Sequence, residues 1–317
     1  MRYRLLGRTG LRVSEVFLGA MRFGEEDQAR AIVDVYDEAG GNVIDTADMY
    51  GAGRSEELVG AALKGRRDRF VLATKYTCTR DAADLNAGGN HRKNLARALD
   101  ASLRRLGTDH IDLYWAHIWD RRTPIEEMMR ALDDAVRAGK ILYVGMSDAP
   151  AWVVARANTL AEWRDWTPFA ALQLPYNPLE RDIERELLPM AEHLGLSVAT
   201  WSPLAHGVLT GKGKAPLDER QAAVVRVLEE IGGELGAPPA HVAIAWSRAR
   251  SRAVLPILGS SRPEQIAENL GALDLALPAE AVERLNAATD FELGFPADFI
   301  NSADSAFGTA IDRLDDR

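Results

Sequence analysis

One cysteine, Cys78, is all the thiol that the 317 residues carry. A lone thiol excludes an intramolecular disulfide, and a reducing, cytoplasmic compartment is the simple expectation. Long apolar runs are missing as well. The chain starts Met1-Arg2-Tyr3-Arg4, enters a polar Gly7-Arg8-Thr9-Gly10 turn, and offers no stretch long enough for a signal peptide or a membrane span. Dense basic runs are absent. Lys and Arg number 38 against 47 Asp and Glu, a formal net charge of −9, which argues against a phosphate-backbone partner. The six histidines show no H-E-x-x-H or comparable spacing, so no metal is expected. No low-complexity linker or repeat divides the chain. Residues 1–317 therefore read as one domain with a small-molecule partner, no nucleic acid and no membrane, in an oligomeric state that the sequence does not specify.

What is present is apolar material in a regular order. Hydrophobic residues make up 47% of the chain, enough for a sizeable core. Candidate strands are Phe17–Ala20, Asn42–Ile44, Phe70–Thr74, Ile111–His117, Ile141–Met146, Ala171–Leu174, Leu196–Thr200 and Val254–Leu258. Several are continuous apolar runs, as strands covered on both faces should be. Helical patterns lie between them. Leu95, Leu99, Leu103 and Leu106 form one buried stripe. Thr123-Pro124-Ile125-Glu126 reads as an N-cap with a first-turn proline, opening a helix up to Gly139, and Ser261-Arg262-Pro263-Glu264 repeats that signal.

Eight alternations of strand and helix predict an α/β fold, a closed (β/α)8 barrel. The rival is an open, doubly wound sheet. It needs G-x-G-x-x-G straight after the first strand, which Phe17–Phe23 lacks, and Gly51-Ala52-Gly53 has no third glycine. Tyr3–Leu6 and Leu11–Val16 flank the polar turn as a hairpin capping the barrel's bottom. Pro278–Ala287 is an extra helix, and Phe291–Arg317 is a weakly periodic tail.

Catalytic groups in such barrels sit at the C-terminal ends of strands and in the loops that follow. Asp45 ends the second expected strand, Tyr50 lies in the next loop, Lys75 ends the third strand and His117 the fourth. These four types suit one chemistry. Hydride delivered to a carbonyl carbon leaves an alkoxide that must be protonated. A free phenol, with a pKa of about 10, is a poor acid for that. A buried ammonium beside it lowers that pKa, a carboxylate holds the ammonium in place, and an imidazole orients the carbonyl oxygen. Taken singly, Asp45 can be a strand-end cap, Lys75 a surface lysine and His117 a satisfied histidine. Their convergence at neighbouring strand ends favours the joint reading. A hydrolase or isomerase using Asp45 with Asp112 or His117 is a different possibility, as is a cofactor-sensing, partner-regulating protein.

Four blocks resemble the aldo-keto reductases, in order and along nearly the whole chain. They are Gly41–Gly51 with Ser55-Glu56-Glu57 and Gly60, Ile111–Tyr114 leading into His117, Trp201–Lys212, and Ile257–Arg262 with Gln265, Glu268 and Asn269. The pattern is nearest the bacterial branch related to potassium-channel β-subunits. The resemblance implies NADP(H)-dependent reduction of an aldehyde or ketone, with Asp45, Tyr50, Lys75 and His117 as catalytic quartet and NADP(H) bound without a Rossmann fold. It implies that Ser147 and Gln173 meet the nicotinamide carboxamide and that Trp201 stacks on the ring. Ser202, Leu204, Gly207, Leu209, Gly211 and Lys212 belong to its cofactor-covering loop, where His206 is either a pyrophosphate contact or plain loop chemistry. Ile257, Gly259, Ser260, Ser261, Arg262, Gln265, Glu268 and Asn269 belong to its adenosine-phosphate site. Asp148 stands where the family usually has Asn. It can accept from a carboxamide but not donate, or it can cap the helix near Pro150.

A helix start at Ser260, Ser261 and Arg262 favours an anion on general grounds, and Arg262 suits a 2′-phosphate. Cys78, just past Lys75, reads as an incidental thiol. Met21 and Trp119, with Phe23 and Phe299, are candidates for an apolar substrate pocket.

Overall fold

The structure, a computed structural model, describes residues 1–212 and 216–301. It opens with an antiparallel hairpin, β1 (Tyr3–Leu5) and β2 (Arg12–Ser14). Eight parallel strands follow: β3 (Phe17–Gly19), β4 (Val43–Asp45), β5 (Val71–Tyr76), β6 (Ile111–Ala116), β7 (Ile141–Ser147), β8 (Phe169–Pro175), β9 (Ser197–Trp201) and β10 (Val254–Gly259). The last pairs back onto the first, closing the barrel. All eight expected strands are there.

Two buried clusters explain why these runs form strands covered on both faces. Leu6, Val13, Phe17, Val43, Val71, Ala73, Leu113, Trp115, Ala171, Ala199, Leu255 and Ile257 fill the barrel. Their strand neighbours Leu18, Ile44, Leu72, Tyr114, Leu172, Val198 and Leu258 face the helices. Side chains alternate along a strand. One more inward step from Val43, Ala73, Trp115, Ala171, Ala199 and Ile257 therefore reaches Asp45, Lys75, His117, Gln173, Trp201 and Gly259. The barrel's own parity aims these residues at the C-terminal mouth.

The hairpin closes the opposite end. Leu6 and Val13 are fully buried against the inner cluster, worth roughly 1.5–3 kcal/mol each by apolar burial. Gly7, at φ 55°, donates its N–H to Ser197 Oγ (2.8 Å), and a Cβ there would lie 2.3 Å from the Ala170 carbonyl oxygen. Only glycine fits that turn.

The outer layer is α1 (Glu26–Glu38), α2 (Arg54–Ala62), α3 (Arg92–Leu106), α4 (Ile125–Arg137), α5 (Ala151–Arg164), α6 (Leu187–Leu194), α8 (Pro239–Arg250) and α9 (Pro263–Leu270). Before α8 the chain adds α7 (Glu219–Leu235), and after α9 it adds α10 (Ala279–Ala288) and the short α11 (Ala297–Asn301). The sequence reading did not single out α7, which contains Gly232-Gly233. In the fold Gly232 lets the helix approach the next turn, where a Cβ would lie 2.5 Å from the Ala237 carbonyl oxygen. The tail expected at 291–317 contains α11, and residues 302–317 lie outside the described residues.

Two helix starts differ from expectation. The N-cap of α4 is Pro124, while the Thr123 hydroxyl donates to Asp120 Oδ2 (2.7 Å). The N-cap of α9 is Arg262, not Ser261, with Pro263 in the first turn. Proline has fixed φ and no N–H, so it moves the boundary toward itself in both places. No described helix is long and apolar enough to cross a membrane.

Candidate active site

Asp45, at the end of β4, is nearly fully buried and accepts from three sides. Lys75 Nζ donates to Oδ1, while Trp115 Nε1 and Gln173 Nε2 donate to Oδ2, each at 2.9 Å. Lys75 is itself fully buried. It also donates to the Thr46 carbonyl oxygen (2.8 Å), and its Nζ lies 4.8 Å from the centroid of the Tyr50 ring. Tyr50 starts a 3-10 turn after β4, and its ring meets the His117 ring edge-on with centroids 5.9 Å apart. The phenol, ammonium, carboxylate and imidazole expected from sequence thus share one mouth.

Trp115 was not expected there. It sits one inward step before His117 on β6 and has room because Gly145, its partner on β7, lacks a side chain. A Cβ on Gly145 would lie 2.3 Å from the indole ring. The indole N–H and the Gln173 amide give Asp45 the donors that a buried carboxylate needs.

Burial works against the Lys75 charge, but Asp45 and Tyr50 outweigh it and hold the ammonium above its ordinary range. Burial also pushes the Tyr50 phenol up, against the pull of Lys75. The ammonium pulls the phenol's pKa down as expected, but burial outweighs it and the net shift is upward. Asp45 cancels much of the Lys75 field, and desolvation wins. The phenol therefore holds its proton at neutral pH. His117 is pushed down to about 3 by burial and then by Lys75, so it is a neutral imidazole. The Cys78 sulfur lies 3.8 Å from His117 Nδ1, and burial pushes its thiol up, which keeps it from being a nucleophile.

Asp48 is 1% exposed, and its Oδ1 has no hydrogen-bond partner among the described residues. Burial and the neighbouring Glu56 push it up to about 7. Asp48 and His117 then act on stability in opposite directions. Between about pH 4 and 7 the folded state alone protonates Asp48, so stability falls as pH rises. Between about pH 3 and 6.5 the unfolded state alone protonates His117, so stability rises with pH. Across pH 4–6.5 the two slopes cancel. Asp48→Asn is expected to unmask a rise of up to ~1.4 kcal/mol per pH unit, and His117→Gln an equal fall. Urea unfolding at pH 4.5 and 6.5 reads both, and parallel behaviour of the two variants would contradict the assignment.

From the mouth a cleft of about 380 Å³ runs toward α9, within the size range of cofactor sites. Asp45, Tyr50, His117, Ser147, Asp148, Gln173, Trp201 and Met21 line its inner end. Ser202, Leu204, His206 and Gly207 follow, then Ile257, Gly259, Gln265 and Asn269. Pro203, Thr210 and Leu258, which belong to the two later blocks, also line it, and so do Gly19 and Arg22, which sequence reasoning missed. Arg22 is an exposed cation two residues past the expected end of the first strand, a place where the barrel rule would have found it.

Other expected residues sit differently. Leu209 is fully buried in the core around the barrel, so its side chain does not face the cleft. Ser260 is fully buried, and its hydroxyl donates to the Arg262 carbonyl oxygen within its own turn. Ser261 is half-buried and accepts from Gln28, while Arg262 is exposed at the start of α9. Lys212, next to Gly211, forms an ion pair with Glu268 (3.2 Å), joining the loop after β9 to α9. Trp119 is not among the residues lining the cleft; its backbone N–H donates to the Asp148 carbonyl oxygen (3.4 Å), and its ring is edge-on to Trp152. Asp148 does not cap α5, whose N-cap is Pro150. Its carboxylate accepts from Trp201 Nε1 (3.4 Å). Asp112 accepts from the Leu72 N–H and pairs with Arg67 (2.7 Å), away from the cleft, so it has no part in chemistry there. Among the described residues no cluster of His, Cys, Asp or Glu is arranged to hold a metal.

Residues 15–290 match the aldo/keto reductase family. The norsolorinic acid reductase of Aspergillus flavus is 36% identical over 324 residues, covering 94% of this chain and 84% of that protein. An aryl-alcohol dehydrogenase of Pestalotiopsis microspora is 35% identical, covering 94% of this chain and 85% of its own length. A putative aryl-alcohol dehydrogenase of Saccharomyces cerevisiae is also 35% identical, with 94% and 89% covered. The family generally uses nicotinamide cofactors. Similarity of this extent, on a barrel whose mouth gathers these side chains, leads to one conclusion: the chain belongs to the aldo/keto reductase family, and it is an oxidoreductase of carbonyl chemistry.

Proposed function

We propose that this protein reduces an aldehyde or ketone to an alcohol with NADPH, in either direction as redox poise dictates, and that it works as one barrel domain in the cytoplasm. The observation that carries the reading is the buried Lys75–Asp45 pair beneath the Tyr50 phenol, opening on a cleft long enough for an extended ligand. The residues along that cleft fit a dinucleotide. Gly207 and Gly259 leave open space where side chains would stand, exposing bare backbone, and Arg22 and Arg262 supply positive charge.

A bound nicotinamide supplies the hydride. Tyr50 gives its proton to the carbonyl oxygen as charge develops there, and Lys75, anchored by Asp45, stabilises the phenolate left behind. Neutral His117 donates one N–H to the same oxygen and orients it. In this reading Ser147, Asp148 and the carbonyl end of Gln173 face the carboxamide, and Trp201 covers the ring. Ser202, Leu204, Gly207, the backbone at Leu209, Gly211 and Lys212 cover the diphosphate. Ile257, Gly259, Gln265, Glu268 and Asn269 hold the adenosine. The backbone at Ser260, with Ser261 and Arg262, takes the 2′-phosphate.

The substrate we propose is an aromatic carbonyl compound. Met21, Met49, Ile118 and Trp152 are large apolar side chains left exposed, and Trp119 packs beside Trp152. The relatives named for norsolorinic acid and aryl alcohols support the same class. NADPH consumption across a panel of aromatic and aliphatic aldehydes tests this. Turnover with NADPH at least tenfold more efficient than with NADH, and best with aromatic aldehydes, is expected. No turnover on any member would remove the reading.

A further inference from the structure

Two carboxylates line the cleft, and they differ in how their charge is met. Asp45 is matched by Lys75. Asp148 has only neutral donors, the Trp201 indole N–H (3.4 Å) and the Ser147 hydroxyl, and no ion pair is formed by it among the described residues. Its position is built in. The residue follows β7 with φ 46°, a left-handed conformation that Asp and Asn tolerate better than most side chains. That turn aims the carboxylate into the cleft instead of toward α5. Its field reaches the reacting phenol, since it pushes Tyr50 upward, and it acts on the neighbouring Cys78 thiol in the same way.

Resting on the nicotinamide reading above, we propose that Asp148 sets the redox bias of the bound cofactor. Its carboxylate favours the oxidised, cationic ring over the reduced, neutral one, and so makes the reduced form a stronger hydride donor. The balance of the step shows why. One C–H bond at the reduced ring breaks, one forms at the carbonyl carbon, and the Tyr50 proton goes to the oxygen. Positive charge stays on the ring, which is oxidised as the carbonyl is reduced. A negative charge in a partly desolvated cleft, felt by Lys75 but held in no ion pair among the described residues, stabilises that product state. An amide of the same shape would not.

Titrations of NADP⁺ and NADPH by quenching of tryptophan fluorescence at pH 8, with no substrate present, test the proposal. In Asp148→Asn the ratio Kd(NADP⁺)/Kd(NADPH) is expected to rise about tenfold, equal to about 30 mV in the potential of the bound two-electron couple. The rise should come from weaker NADP⁺ binding. Asp148→Glu keeps the charge and is expected to stay near the wild-type ratio. A ratio unchanged in Asp148→Asn, or an equal weakening of both nucleotides, would overturn the proposal and leave the cofactor reading standing. Wild-type protein that binds neither nucleotide would remove the cofactor reading, and this inference with it.

Discussion

Replacing Tyr50 with phenylalanine is expected to lower kcat/KM for aldehyde reduction by about 10²–10⁴-fold, the usual worth of a positioned general acid. The ring contacts explain why this variant should keep its fold. The phenyl ring retains its face toward Lys75 and its edge contact with His117. Only the hydroxyl is lost, and it carries a proton at neutral pH beside the Lys75 charge. His117 cannot take over, because it is neutral until about pH 3 and has no spare proton to give. Nucleotide affinity, read by fluorescence, should stay within about threefold of wild type. Turnover at the wild-type rate would show that the proton comes from elsewhere.

Lys75→Met is expected to cost about 3–5 kcal/mol of stability as well as most of the activity, because it strands a charge. Asp45 would stay buried with the Trp115 and Gln173 donors but no cation. The double variant Lys75→Met/Asp45→Asn removes both charges and should recover much of the stability and none of the activity. Urea unfolding and an aldehyde assay on the same preparations separate the two effects. If the double variant were no more stable than Lys75→Met, the stranded charge would not be the cause.

Much of this arrangement was legible in the residues alone because barrel strands obey a period of two. Asp45, Lys75 and His117 can be placed at a mouth by counting along apolar runs, and the structure puts them there. What escaped depends on contacts between strands far apart in the chain. Trp115 reaches Asp45 across 70 residues, and it can do so only because Gly145 is bare. Gln173 spends its amide N–H on Asp45, a tie across 128 residues that no local pattern signals. Leu209 and Ser260 were read by their place in a motif, but one packs into the core and the other closes its own turn. The phenol's net shift is upward although Lys75 pulls it down, because burial of the ring and its hydroxyl depends on packing that the sequence does not print. Asp148 was visible as a departure, but its left-handed backbone and its aim into the cleft are tertiary facts.

The most direct measurement follows the hydrogen itself. Wild-type protein given an aromatic aldehyde and NADPH deuterated at both C4 positions should yield an alcohol with one deuterium on the carbinol carbon, formed one-for-one with oxidised cofactor. Alcohol carrying no deuterium, or aldehyde left untouched while the nucleotide is bound, would contradict hydride delivery at the mouth of this barrel.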